Sequence, residues 1–162
     1  MSRLHHAVPG IAGNLGGIAG ADAACQAEAT GAGQRGTFLA WLSDSTGISP
    51  ATRFTHPDTP YVRADGVPVA PSWAYLIGGP DLEATLAVTA AGTPFSGSSY
   101  TNTGTRPDGT ADPDGRFCGD RTTNRSSLKR LTGLTFASDS PRWTMSNDWN
   151  CVNNYALRCF QQ

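Results

Sequence analysis

Apolar residues in this chain come in short runs, separated by glycine, proline, serine and aspartate. Runs of that length predict strands and single helical turns rather than long amphipathic helices. Leu4 to Val8 predicts an edge strand that Pro9-Gly10 ends, and Gly10 to Gly20 predicts a loop. The alanine-rich run Asp22 to Ala29 predicts a short helix, with the Asp22 carboxylate at its N-terminus and Gly31 and Gly33 as its stop. Cys25 then lies mid-helix, where it can face the core. Thr37 to Ser43, with Phe38, Leu39, Trp41 and Leu42, is too short for a buried helix and predicts a strand. Ser49-Pro50-Ala51 is a helix start. Tyr61 to Val69 predicts a hairpin with Asp65-Gly66 at its tip. Ser72 to Leu76 predicts a helical turn, and Leu82 to Thr89 a strand. Trp143-Thr144-Met145 and Tyr155 to Phe160 predict the closing strands. Trp41 and Trp73 belong to the core on this pattern, whereas Trp149, among Asn147, Asp148 and Asn150, is more exposed.

From Ala90 to Gly115 the chain is dominated by Gly, Thr, Ser, Asp and Pro, which predicts a long surface loop. Loops of that length within a compact domain are usually functional or disordered. No internal repeat is evident. The 162 residues suit one domain, 1–162, able to bury roughly 70% of its unfolded surface. Apolar content is 38%, charged content 15%, and 19 glycines with 11 prolines make loops abundant. A net charge of −1 supplies no global attraction to nucleic acid or to an anionic membrane. No stretch approaches the ~20 apolar residues that cross a bilayer. The opening Met1-Ser2-Arg3-Leu4-His5-His6 lacks the apolar core of a signal peptide, so the expectation is a mature form or an excised domain carrying an added Met.

Four cysteines, Cys25, Cys118, Cys151 and Cys159, change the picture most. No Cys-x-x-Cys pair is present, which argues against a zinc knuckle or a thioredoxin-type site. An even count with one distant member predicts a disulfide framework and an oxidising compartment. Four cysteines allow three pairings, and spacing does not choose among them.

The segments around these cysteines resemble the endostatin family. They are Gly13-Asn14-Leu15-Gly16-Gly17-Ile18-Ala19-Gly20-Ala21-Asp22-Ala23-Ala24-Cys25, then Gly36 to Ser43, then Pro71-Ser72-Trp73-Ala74-Tyr75-Leu76, and finally Cys151 and Tyr155 to Cys159. The order and spacing hold over roughly residues 10 to 160, with a weaker middle from about 80 to 115. In its alanine and glycine content the chain looks more like bacterial secreted domains of that kind. The resemblance implies an α+β, C-type-lectin-like fold: a mixed, mostly antiparallel sheet, short helices, long loops and two nested disulfides, Cys25–Cys159 and Cys118–Cys151.

Three groups of residues carry candidate chemistry. Asp108, Asp112 and Asp114 share a glycine-containing loop, and hard oxygen ligands at such spacing are what calcium takes. In sugar-binding C-type lectins a proline-containing triplet and an Asn-Asp pair hold the ion. Here Pro107-Asp108 and Asn147-Asp148 partly fill those places, while Arg106 stands where a ligand is needed and would repel a cation. The ordinary reading is a solvated, turn-rich loop. Endostatin also binds zinc, but of its ligands only His5 and Asp65 have counterparts here, an incomplete set. His56, beside Pro57, reads as solvated. Last, Arg116, Arg121, Arg125, Lys129 and Arg130 lie within fifteen residues. By analogy with heparin binding they form a candidate patch for an acidic glycan, with Trp149 as an aromatic contact. Ordinary surface charge is the competing reading.

No Gly-x-Ser-x-Gly and no nucleophile–base pair stand out, so no enzyme is expected. Formylglycine-generating enzymes share the C-type-lectin-like fold but need an active-site cysteine pair, and here all four cysteines are assigned to structure. The sequence therefore predicts a non-catalytic extracellular or cell-surface recognition module with no required cofactor, binding a glycan or an extracellular protein through its loops. The alternative is a structural module that assembles multimers, itself a homo-oligomer, as endostatin's parent domain ends a collagen trimer.

Overall fold

A computed structural model describes residues 2–11 and 13–162. Met1, Ala12 (within the glycine-rich stretch expected as a loop) and the side chain of Ile11 lie outside the described set. The fold is α+β. The strands are β1 (Arg3–Ile11), β2 (Phe38–Ala40), β3 (Tyr61–Arg63), β4 (Pro68–Ala70), β5 (Tyr100–Asn102), β6 (Lys129–Leu134), β7 (Asn147–Asn150) and β8 (Tyr155–Gln161). The helices are α1 (Gly17–Gly31), α2 (Pro50–Arg53), α3 (Trp73–Gly78) and α4 (Cys118–Arg121). The sheet runs β4-β3-β1-β8-β5-β6-β7, with β2 also paired to β8. Its pairings are antiparallel except β1 with β3 and β5 with β8.

Strand β8 lies at the centre, and residues Tyr155 to Phe160 are all buried. Successive side chains point to opposite faces. Leu157 and Cys159 therefore meet α1, where Ala21, Cys25 and Ala29 face inward. Phe160 points the other way, into a cluster around Trp41. Trp41 is fully buried, with Phe54, Trp73, Trp143 and Phe160 at ring-centroid distances of 5.0 to 6.1 Å. Its indole N–H donates to Thr144 Oγ1 at 2.7 Å, so this buried donor is satisfied. Gly133 admits Trp143 to that core, because a Cβ there would stand 2.2 Å from the Trp143 carbonyl oxygen.

Two disulfides join Cys25 to Cys159 and Cys118 to Cys151. The first spans 134 residues and fixes α1 on β8; the second spans 33 and ties α4 to the end of β7. In the chain-entropy view loops of those lengths are worth about 5 and about 4 kcal/mol, and being nested they do not simply add.

Several expectations need correction. The N-terminal strand is interior, flanked by β3 and β8, because both of its histidines are covered: His5 by Phe160 and His6 by Phe38. Pro9-Gly10 does not end it; the pairing with β8 shifts register between Val8 and Ile11 and continues. The first helix starts at Gly17, one turn before Asp22. The missing side chain of Gly20 lets the turn close against the Leu15 carbonyl oxygen, 1.7 Å from where a Cβ would sit. Asp22 is thus no cap. It accepts from the Ala40 amide at 2.8 Å and pairs with Arg53 at 2.7 Å, tying α1 to β2 and α2.

Leu82 to Thr89 forms no strand. It buries Leu82, Leu86 and Val88, and its backbone bonds scatter to Ser138, Val69 and Ala7. The stretch Ala90 to Gly115 is not a surface loop throughout, since it contains β5. Thr101, Thr103 and Thr105 are buried there, and their hydroxyls are satisfied by Thr135 at 2.9 Å, the Thr144 carbonyl at 2.6 Å and Ser43 at 2.8 Å. Trp143 to Met145 is a turn; the strand of that region is β7, and β6 was not anticipated at all. The strand Thr37 to Ser43, the Asp65-Gly66 hairpin, the Ser49-Pro50 and Ser72 helix starts and the Gly31 stop all stand, with boundaries trimmed.

Two expectations follow for stability. Replacing Trp41 with Ala removes the centre of five aromatic rings and should lower stability by roughly 3–5 kcal/mol in urea denaturation. His5 and His6 are fully buried. Burial pushes His6 down to about 4, and burial together with the neighbouring Arg158 pushes His5 well below the usual histidine range. Both folded pKa values lie below the unfolded one, so the unfolded state takes up protons first as pH falls. Stability is therefore full above about pH 6.5 and declines from there towards pH 4, by about 3 kcal/mol for His6 alone. Melting curves across that range should show the decline, and His6→Leu should flatten it.

Candidate functional site

At the β5–β6–β7 end of the sheet, an aromatic ledge grows outward from a buried arginine. Registers set which side chains share a face: Tyr100 lies opposite Leu134, Asn102 opposite Thr132, and Arg130 opposite Trp149. Tyr100, Asn102, Arg130 and Trp149 accordingly line one side. The Arg130 guanidinium lies 4.1 Å above the ring of Tyr155, at the start of β8. Tyr155 packs against Tyr100 at 5.6 Å, and Tyr100 meets Trp149 edge-on at 5.3 Å. The row thus runs from buried Arg130 through Tyr155 (6% exposed) to Trp149 (37% exposed).

Hydrogen bonds brace the inner half of the row. Arg130 Nη1 donates to Asn102 Oδ1 at 2.6 Å, and Nη2 donates to the Asn153 carbonyl. The Asn153 amide donates to the Tyr155 hydroxyl at 3.3 Å and to Asn150 Oδ1 at 3.4 Å. The turn carrying Asn153 is held by Cys151 through its bond to Cys118. Burial pushes Arg130 down to about 10, which leaves it charged at neutral pH. That charge is turned inward, onto carbonyls and an aromatic face, so the outer surface of the ledge is aromatic and amide. Such a surface can stack on an apolar ring face and bond to hydroxyls at its rim.

The basic cluster expected as a patch is dispersed. Arg121 and Arg130 are fully buried. Arg121 Nη2 donates to the Thr103 carbonyl at 3.0 Å, and burial pushes its pKa down to about 9. A guanidinium so placed holds the chain together and does not meet an external ligand. Arg116 is engaged by carboxylates. Arg125 and Lys129 are exposed, and Lys129, next to Arg130 in β6, points to the opposite face from the ledge. Of the residues singled out for ligand binding, Trp149 stands exposed on the ledge and Arg130 is buried beneath it.

The calcium candidates are placed around a different cation. Asp112 is 3% exposed and receives both Arg116 Nε at 2.7 Å and Nη2 at 2.8 Å. Asp114 stands 3.2 Å from the same guanidinium, and Asp148 acts on it electrostatically from β7. Burial pushes the Asp112 carboxyl up, but its bonds from Arg116 outweigh that and hold it below the usual range. Asp108 turns back on Thr110, whose hydroxyl donates to it at 2.6 Å. Asn147 takes the Ser146 hydroxyl at 2.7 Å. Arg106, expected to repel calcium, is exposed; the charge that occupies the carboxylates is Arg116. The zinc pair does not meet either, because His5 is in the core and Asp65 is bound by Arg63. His56 is exposed but not free, lying flat on Trp73 at 4.3 Å. Among the described residues no three His, Cys, Asp or Glu side chains are grouped to hold a metal.

Reading the sequence alone missed Tyr100, Asn102, Tyr155 and Asn153 as site residues. The available signal was the density of Asn, Trp and Tyr from Asn147 to Tyr155, which the expected strand at Trp143 obscured. No protein-family model matches the chain, and no curated protein matches it.

Calcium should leave the melting temperature unchanged within error at millimolar concentration, because a resident guanidinium already neutralises Asp112 and Asp114. Arg116→Gln should destabilise the protein by about 1–3 kcal/mol by stranding a buried carboxylate.

Proposed function

We propose that this protein is a non-catalytic recognition module that binds a neutral glycan on the Tyr100–Trp149 ledge. The observation that carries the reading is the half-exposed Trp149, held edge-on by Tyr100 and backed by Tyr155 and Arg130. A pre-braced aromatic loses little freedom on binding, so its apolar contact goes into affinity. Asn153, whose side-chain amide reaches the Tyr155 hydroxyl, offers both donors and an acceptor to hydroxyls. The glycan is neutral in this reading because Arg121 and Arg130 are buried, Arg116 is already paired, and exposed Lys129 points away from the ledge.

The fold is proposed to be C-type-lectin-like and of the endostatin type. The nested disulfides and the order of the motifs around them support this. Two disulfides suit an oxidising environment, and no described helix is long and apolar enough to cross a membrane. An extracellular or cell-surface location is proposed on that ground. The unpaired outer edge of β7 favours a second reading, assembly with another protein or another copy through strand addition.

A glycan array in the presence of EDTA should give binding to uncharged sugars. Trp149→Ala should weaken the best of them at least tenfold by calorimetry, roughly 1.4 kcal/mol, while changing stability by about 1 kcal/mol or less. Binding that requires calcium, or that survives Trp149→Ala, removes the ledge from the reading. A concentration-dependent dimer in light scattering with no glycan signal favours assembly.

A further inference from the structure

Behind the sheet's central strand, on the face away from α1, lies a buried positive charge with no counter-ion. Arg158 is 1% exposed. Its Nη2 donates to the Leu134 carbonyl at 2.8 Å, and the guanidinium lies 6.0 Å from the ring of Trp143. Its Nε and Nη1 have no partner. No carboxylate pairs with it among the described residues. Burial lowers its pKa to about 9, so it is still protonated at neutral pH.

His5 belongs to the same neighbourhood. The register puts Ala7 opposite Arg158 and His5 opposite Phe160, so His5 and Arg158 are diagonal neighbours on one face. Both ring nitrogens of His5 are buried and unpartnered. Arg63 on β3 flanks His5, and the nearby acid, Asp65, is already bonded to Arg63. The backbone neighbours of Arg158 on this face carry small side chains, Ala7 across the strand pair and Ala156 two residues earlier on β8, and Phe95 packs against both.

Unpaired buried donors are rare, and a buried cation without a partner is rarer. Here the free groups are the Arg158 Nε–H and Nη1–H, the one N–H of neutral His5 and that ring's bare nitrogen. Three are donors, two of them on a cation, against a single acceptor, so the occupant that matches them is an acceptor that carries negative charge. We propose that Arg158 and His5 form an internal binding site for a small inorganic anion of chloride size. The anion neutralises the centre of the sheet and stabilises the folded state in proportion to its concentration. The proposal rests on residues other than those of the glycan ledge and is independent of it.

Crystals soaked in sodium bromide and measured at the bromine absorption edge test this directly on the unaltered protein. The expected result is an anomalous peak within bonding reach of Arg158 Nε and Nη1 and of His5. In solution, the melting temperature should be roughly 2–4 °C higher in sodium chloride than in sodium gluconate at equal ionic strength. His5→Phe, which keeps a ring against Phe160 but removes the donor, should reduce that difference. A wild-type site holding only water or nothing, or equal melting temperatures in the two salts, would overturn the proposal.

Discussion

The insertion of the last strand into the middle of the sheet is the constraint on which the rest depends. Strand β8 pairs with β1 along one edge and with β2 and β5 along the other. One of its faces is covered by α1 and the other by the Trp41 cluster. The chain must therefore bring its two ends together before either face of the core can close, an unfavourable loop-closure step for so long a segment. The Cys25–Cys159 bond removes that entropy from the unfolded state, at the point where helix and strand meet. The ledge inherits its rigidity from the same strand, because Tyr155 at the start of β8 supports both Arg130 and Tyr100.

Polar side chains carry an unusual share of the interior. Threonines 101, 103 and 105 fill positions that aliphatic residues would ordinarily take, and each hydroxyl finds a partner inside the protein. Arg121, Arg130 and Arg158 are among the largest fully buried side chains. None has a carboxylate partner among the described residues; they rest on carbonyls, an asparagine and aromatic faces. A chain of only 38% apolar residues thus closes a core by satisfying polar groups inside it. The same design leaves the core short of negative charge, and it places the two buried histidines where protonation opposes folding.

The acidic loop illustrates how one residue redirects a motif. Asp112, Asp114 and Asp148 do gather, as a calcium site would require, but around Arg116. Spacing along a chain records which ligands are near in sequence. It does not record which cation the folded chain delivers to them.

What the sequence determined by itself was local or compositional. The glycine stop of α1, the Asp65-Gly66 hairpin, the serine-led helices, the core places of Trp41 and Trp73 and the exposure of Trp149 all follow from neighbouring residues. Spacing left three disulfide pairings open, and the pair of bonds present is the nested one that the endostatin-like order of motifs implied. Tertiary structure alone decided that a threonine-rich stretch becomes an interior strand, that β1 lies inside the sheet, and that a cluster of arginines disperses into the core. It also decided that Tyr100 and Trp149, far apart in sequence, share one ledge. The physical reason is the same in each case. Whether a polar group is buried depends largely on partners elsewhere in the chain, because burial without them is costly. The identity of the partner is settled only when the strands have chosen their neighbours.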